Sequence, residues 1–226
     1  MSTEVIANGR EARIPIGEGL WLEADVSVPV EAKGVVIFAH GSGSSRHSPR
    51  NQFVARDLNE NGLATVLTDL LTMAEENIDN KTHDLRFDIP LLSRRVERVL
   101  EWAHEDPQLA RLAIGIFGAS TGAAAALGAA AMRPDLVRAV VSRGGRPDLS
   151  PTLDQVAAPT LLIVGGRDPE VIRLNEMALR QMKCAKALEI VAGATHLFEE
   201  HGTLEKVAEL AGEWFLEHLQ PTIVKP

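Results

Sequence analysis

Short, nearly unbroken apolar runs recur along this chain, and helical or alanine-rich stretches separate most of them. Gly34-Val35-Val36-Ile37-Phe38-Ala39, Ala64-Thr65-Val66-Leu67-Thr68-Asp69 and Leu112-Ala113-Ile114-Gly115-Ile116-Phe117 are three such runs; Val137-Arg138-Ala139-Val140-Val141, Thr160-Leu161-Leu162-Ile163-Val164 and Ala187-Leu188-Glu189-Ile190-Val191 are three more. Strands that are apolar on both sides belong to a parallel sheet covered on both faces. Helical spacing predicts helices near 51–61, 87–105, 121–133, 170–182 and 204–219. Ile89, Leu92, Val96, Val99, Leu100 and Ala103 mark the buried stripe of the second helix. Gly62 and Pro134 end the first and the third. The beginning of the chain differs. Ile14-Pro15-Ile16, the turn Gly17-Glu18-Gly19 and the segment from Leu20 to Val26 predict an antiparallel hairpin at the sheet edge. The polar, acidic segment 75–84 reads as a loop. Strand and helix alternate without repeat or linker, so the expectation is one α/β domain over 1–226, its twisted sheet mostly parallel.

Composition alters this picture little. With 226 residues, 45% hydrophobic and 24% charged, the chain is ordinary for a globular protein. The net charge of −8 argues against a nucleic-acid partner. No run approaches the roughly 18 apolar residues of a membrane span, and the start has no basic region followed by an apolar stretch. The single cysteine, Cys184, permits no intrachain disulfide, which fits a cytoplasmic setting.

Candidate chemistry begins at Gly118-Ala119-Ser120-Thr121-Gly122, between an apolar strand and an alanine-rich helix. G-x-S-x-G in that context is the nucleophile elbow of serine hydrolases: a turn so tight that only small residues flank the serine. A serine hydroxyl needs a base to take its proton and a third group to hold that base. In an open α/β sheet such groups gather at the C-terminal ends of strands. Asp168 follows the Thr160 run and His196 follows the Ala187 run, so Ser120, Asp168 and His196 stand in the chain order of nucleophile, acid and base. Asp168 also suits the cap of the helix after it, and Asp148 and Asp69 are alternative acids. The oxyanion donors are expected to be the N–H groups of Thr121 and Ser42, with Gly43 second to Ser42. A phosphate-cradling role for the glycine-rich loop from His40 is the competing reading, but no Gly-Lys-Ser/Thr follows it. No His/Asp/Glu cluster has metal-ligand spacing, and no cofactor is implied.

Taken together, His40-Gly41-Ser42-Gly43-Ser44-Ser45-Arg46-His47-Ser48-Pro49-Arg50-Asn51, the Ser120 elbow, Gly165-Gly166-Arg167-Asp168 and Ala194-Thr195-His196-Leu197-Phe198 resemble the dienelactone hydrolase-like branch of the α/β-hydrolase family. The likeness runs from about Arg13 to Leu219. It implies the α/β-hydrolase fold without a large cap domain, acting on small esters or lactones. Dienelactone hydrolase itself uses a cysteine where this chain has Ser120, which favours general ester chemistry. Some relatives of the branch are joined to a phosphoribosyltransferase domain.

The expected partner is therefore a small ester or lactone, with oligomeric state left open. A thioesterase or amidase would use the same residues, and a non-catalytic binding protein is the reading from another class. Arg46, His47, Arg143 and Arg146 lie in loops near the site or at strand ends. A guanidinium there can bind a substrate carboxylate, or it can serve only a structural ion pair.

Overall fold

Eight strands form one sheet in the computed structural model, which describes residues 8–219. They are β1 (Asn8–Gly17), β2 (Leu20–Val28), β3 (Val35–Ala39), β4 (Ala64–Thr68), β5 (Ile114–Ala119), β6 (Val137–Arg143), β7 (Thr160–Gly165) and β8 (Lys186–Val191). Their order across the sheet is β1-β2-β4-β3-β5-β6-β7-β8. The hairpin β1–β2 and the pair β2–β4 are antiparallel, and every pairing from β4 to β8 is parallel.

The six α-helices among the described residues are α1 (Pro49–Glu60), α2 (Met73–Thr82), α3 (Ile89–Glu105), α4 (Thr121–Met132), α5 (Pro169–Gln181) and α6 (Thr203–His218). Successive residues of β3 serve opposite faces. Val35, Ile37 and Ala39 join the cluster that holds the apolar stripe of α3 and the alanines of α4. Val36 and Phe38 join Val54 and Leu58 of α1 and Val207 and Phe215 of α6 on the other. This is why the central strands read as unbroken apolar runs rather than as alternating ones.

Residues 75–84, expected as a loop, instead lie mostly within α2. The helix lacks a broad apolar stripe and is set by its ends. The Thr72 hydroxyl accepts from the Glu75 N–H, and the Glu75 carboxylate accepts from the Thr72 N–H. Arg95 of α3 donates to Glu75 at 2.6 Å. Buried Asp79 accepts from the backbone N–H and the guanidinium of Arg86. Burial alone would raise the Asp79 carboxyl, but the bonds and charge of Arg86 outweigh it and hold the group below its ordinary value.

Between β6 and β7 the chain makes only two single-turn 3₁₀ segments, Pro147–Leu149 and Leu153–Gln155, so no cap is inserted there. The C-terminal ends of β3, β5 and β6 lie side by side, with Ala39 opposite Gly118 and Ala119 opposite Arg143.

Candidate active site

Ser120 occupies the turn from β5 to α4 with φ 51° and ψ −121°, a backbone conformation that a non-glycine residue rarely adopts. Its neighbours explain how the turn is held. A Cβ on Gly118 would stand 2.5 Å from the Ala123 Cα, and one on Gly122 would stand 2.3 Å from the Ala39 carbonyl oxygen. Both glycines are required by close packing of α4 against the sheet. The Ser120 N–H donates to the Arg143 carbonyl at 3.2 Å, and its own carbonyl accepts from Ala123 and Arg146. Ser120 stands at the N-cap of α4, yet its hydroxyl makes no cap hydrogen bond. The side chain that would ordinarily satisfy the helix is left free at its positive end.

Asp168 caps α5 and also meets His196. One carboxylate oxygen accepts from the Val171 N–H at 3.4 Å, and the other lies 2.8 Å from His196 Nδ1. One residue thus caps the helix and holds the imidazole. The loop that carries His196 crosses the end of β7 closely: a Cβ on Gly165 would come within 2.5 Å of the Thr195 carbonyl oxygen. The Arg167 N–H donates to the Ala194 carbonyl at 2.8 Å and the Thr195 N–H to Glu200 at 3.0 Å, which fixes the loop. The alternative acids are engaged elsewhere. Asp148 takes a two-pronged pair from Arg146, and Asp69 is bound to Arg46.

Ser120 and His196 line one cleft of about 260 Å³, together with Ser42, Arg50 and Arg143. Thr121, at the first position of α4, has no intrahelical acceptor for its N–H. The Ser42 N–H donates to the Thr121 hydroxyl at 2.8 Å. A carbonyl oxygen held by Ser42 must therefore displace that hydroxyl. Gly43 has φ 68° and lies in an adjoining pocket beside Arg86, on the other side of Gly41-Ser42. His40 is half-buried in the same wall. Its Nε2 accepts from the Leu70 N–H at 3.2 Å and its Nδ1–H donates to the Gly41 carbonyl at 3.0 Å. Burial lowers its pKa, opposed by the Gly41 bond and by Asp69 and Glu76, so the ring is neutral and ties the end of β3 to the segment after β4.

The structure does not bring Arg46 or His47 to the cleft. Arg46 is paired with Asp69 and, at 3.6 Å, with Asp25; burial opposes its charge, but Asp69 outweighs this and raises its pKa. His47 is exposed beside Asp25. Arg143 does line the cleft, as do Arg50 and Asn51, which the sequence reading did not single out. Their place in the first turn of the helix after the His-Gly loop was the available signal. Among the described residues, no group of three or more His, Cys, Asp or Glu is arranged to hold a metal, and no helix is long and apolar enough to cross a membrane.

Known proteins share this arrangement of elements. A family model described as an alpha/beta hydrolase domain matches residues 32–211. The crystal structure of dienelactone hydrolase from Anabaena variabilis is similar with a TM-score of 0.93 and 53% identity, covering 95% of this chain and 99% of that one. Est1E from Butyrivibrio proteoclasticus, 20% identical with a TM-score of 0.76, covers 92% of this chain and 98% of its own and shares the fold. Two Mycobacterium tuberculosis proteins, each named "Putative phosphoribosyl transferase", are 55% identical over 195 residues. That stretch is 86% of this chain and 43% of theirs, so the chain spans less than half the length of these curated relatives. With the family model over most of its length and a 53% identical relative along nearly all of it, the chain belongs to the alpha/beta hydrolase family, in the dienelactone hydrolase-like branch.

Proposed function

We propose that the protein is a serine hydrolase of small carboxylic esters or lactones. The observation that carries this reading is the unbonded Ser120 hydroxyl, in the same cleft as a His196 whose Nδ1 is held 2.8 Å from Asp168. His196 Nε2 takes the serine proton as Oγ attacks the ester carbonyl, and later gives a proton to the departing alkoxide. Asp168 fixes the tautomer with the proton on Nδ1 and stabilises the imidazolium that forms. The Thr121 N–H and the Ser42 N–H hold the tetrahedral oxyanion, the latter once the Thr121 hydroxyl has turned away. Water then releases the acid from Ser120. A binding module has no need of a base oriented by a carboxylate beside a strained, uncapped serine. Thioester or amide cleavage would use the same groups. The phosphoribosyl transferase name belongs to proteins about twice as long, and this reading does not extend to it.

Fluorophosphonate labelling, read by peptide mass spectrometry beside a p-nitrophenyl acetate assay, tests the proposal. One adduct on Ser120 with ester turnover is expected, and Ser120→Ala should lose both while keeping its circular dichroism. An active, folded Ser120→Ala protein would falsify the mechanism.

A further inference from the structure

Arg143 is a buried arginine that the fold leaves without a counter-ion. It is 8% exposed, and its Nε and Nη1 are buried with no hydrogen-bond partner. Among the described residues no carboxylate lies within ion-pair distance of it, whereas Arg46, Arg86, Arg95, Arg133 and Arg146 are all paired. Burial, with a smaller contribution from the nearby charge of Arg50, lowers its pKa to about 10. An unpaired cation is costly to bury and gains most from an anion brought to it. The site of that gain is defined. Arg143 is opposite Ala119 across β5 and β6, its carbonyl accepts the Ser120 N–H, and it lines the cleft that holds Ser120 and His196.

A second cation faces the same cleft. Arg50 stands in the first turn of α1, a 12-residue helix capped by Ser48. Its Nε is also buried without a partner, and its one ion pair is a 3.3 Å contact with the exposed Glu199. Asn51, 2% exposed, adds an amide oxygen with no donor; a half-turn of that amide presents an NH₂ instead. The set therefore comprises two guanidiniums and the positive end of a helix.

We propose that the cleft beside Ser120 contains a phosphoryl subsite, in which Arg143 and Arg50 take the phosphate monoester group of a small ester substrate. A carboxylate carries one charge and two oxygens and would engage one guanidinium, leaving Arg50 with only its contact to the exposed Glu199. A phosphate monoester carries nearly two charges at neutral pH and presents three oxygens, which suits two forks and a helix N-terminus. The subsite rests on the hydrolase reading for its role, which is to anchor the substrate while its ester carbonyl lies at Ser120. Phosphate binding itself does not depend on turnover.

The test is isothermal titration of inorganic phosphate, and separately of acetate, into the full chain carrying Ser120→Ala. Phosphate should bind at least about tenfold more tightly than acetate, and Arg143→Gln or Arg50→Gln should weaken it by about tenfold or more. Competitive inhibition of p-nitrophenyl acetate hydrolysis by phosphate in the wild type should follow. The proposal is overturned if phosphate gives no binding at about 10 mM, or if acetate binds as tightly. It is equally overturned if phosphate affinity is unchanged in the folded arginine variants. Should Arg143→Gln fail to fold, Arg50→Gln decides. Fluorophosphonate labelling separates the two readings: phosphate binding without a Ser120 adduct removes the hydrolase role alone, and an adduct without phosphate binding removes the subsite alone.

Discussion

Ser120 sits in a backbone conformation that glycine adopts more readily, and it gives up the cap hydrogen bond that serine usually makes. Both facts place a cost on the fold, and the proposed nucleophile role accounts for it. Ser120→Gly should therefore raise stability by about 1 kcal/mol while abolishing fluorophosphonate labelling, a difference that urea titration and mass spectrometry read side by side. Asp168 is the opposite case, because its two oxygens meet the start of α5 and the His196 ring together. Asn is as good a cap as Asp, so Asp168→Asn should leave stability nearly unchanged and lower kcat by about 10³–10⁴-fold through the wrong tautomer of His196. Asp168→Ala should also lose about 1 kcal/mol of stability. His40 gives the pH dependence. Its folded pKa is depressed, so its contribution is fully present above the unfolded value of about 6.5 and declines as pH falls below it. Thermal unfolding from pH 8 to 5 should show that decline, and a folded His40→Asn variant should flatten it.

Among the elements, those whose residues bury a continuous surface were readable from the sequence. The strands β3, β4, β5 and β7 are buried along their whole length, and their apolar runs say so. Helix α3 shows its stripe at 3.6-residue spacing. Helix α2 was read as a loop because its order comes from a reciprocal cap and from the Arg95 and Arg86 pairs, none of which leaves a periodic mark. Asp79→Ala should accordingly destabilise the protein by about 3 kcal/mol, since it leaves the mostly buried Arg86 without its acid; differential scanning calorimetry reads the shift. Helix α4 depends on closeness rather than on charge. Gly122→Ala places a methyl 2.3 Å from the Ala39 carbonyl oxygen, in rigid backbone, and must push α4 away from β3. We expect at least 2 kcal/mol of destabilisation and loss of ester turnover, because the same helix start carries Ser120 and Thr121.

For the whole molecule, chain order and strand order together made the Ser120, Asp168 and His196 grouping legible before any coordinates. All three follow strands whose C-terminal ends share one edge of a parallel sheet. The arginines were not separable in that way. Arg46, Arg143 and Arg146 each sit near the end of a strand or in a loop beside the site, and only the fold shows that Asp69 and Asp148 occupy two of them and leave the third bare. The engaged state of the Ser42 N–H was equally hidden, since its partner Thr121 is 79 residues away in sequence. The strand order also governs assembly. β3 lies between β4 and β5, and both of its neighbours are made after it. One edge waits only for α1 and β4, but the other stays unpaired during synthesis until α2, α3 and then β5 have emerged, and such non-local parallel pairing is slow. Regain of esterase activity after dilution from denaturant should thus report the insertion of β3, lagging behind the recovery of helical circular dichroism.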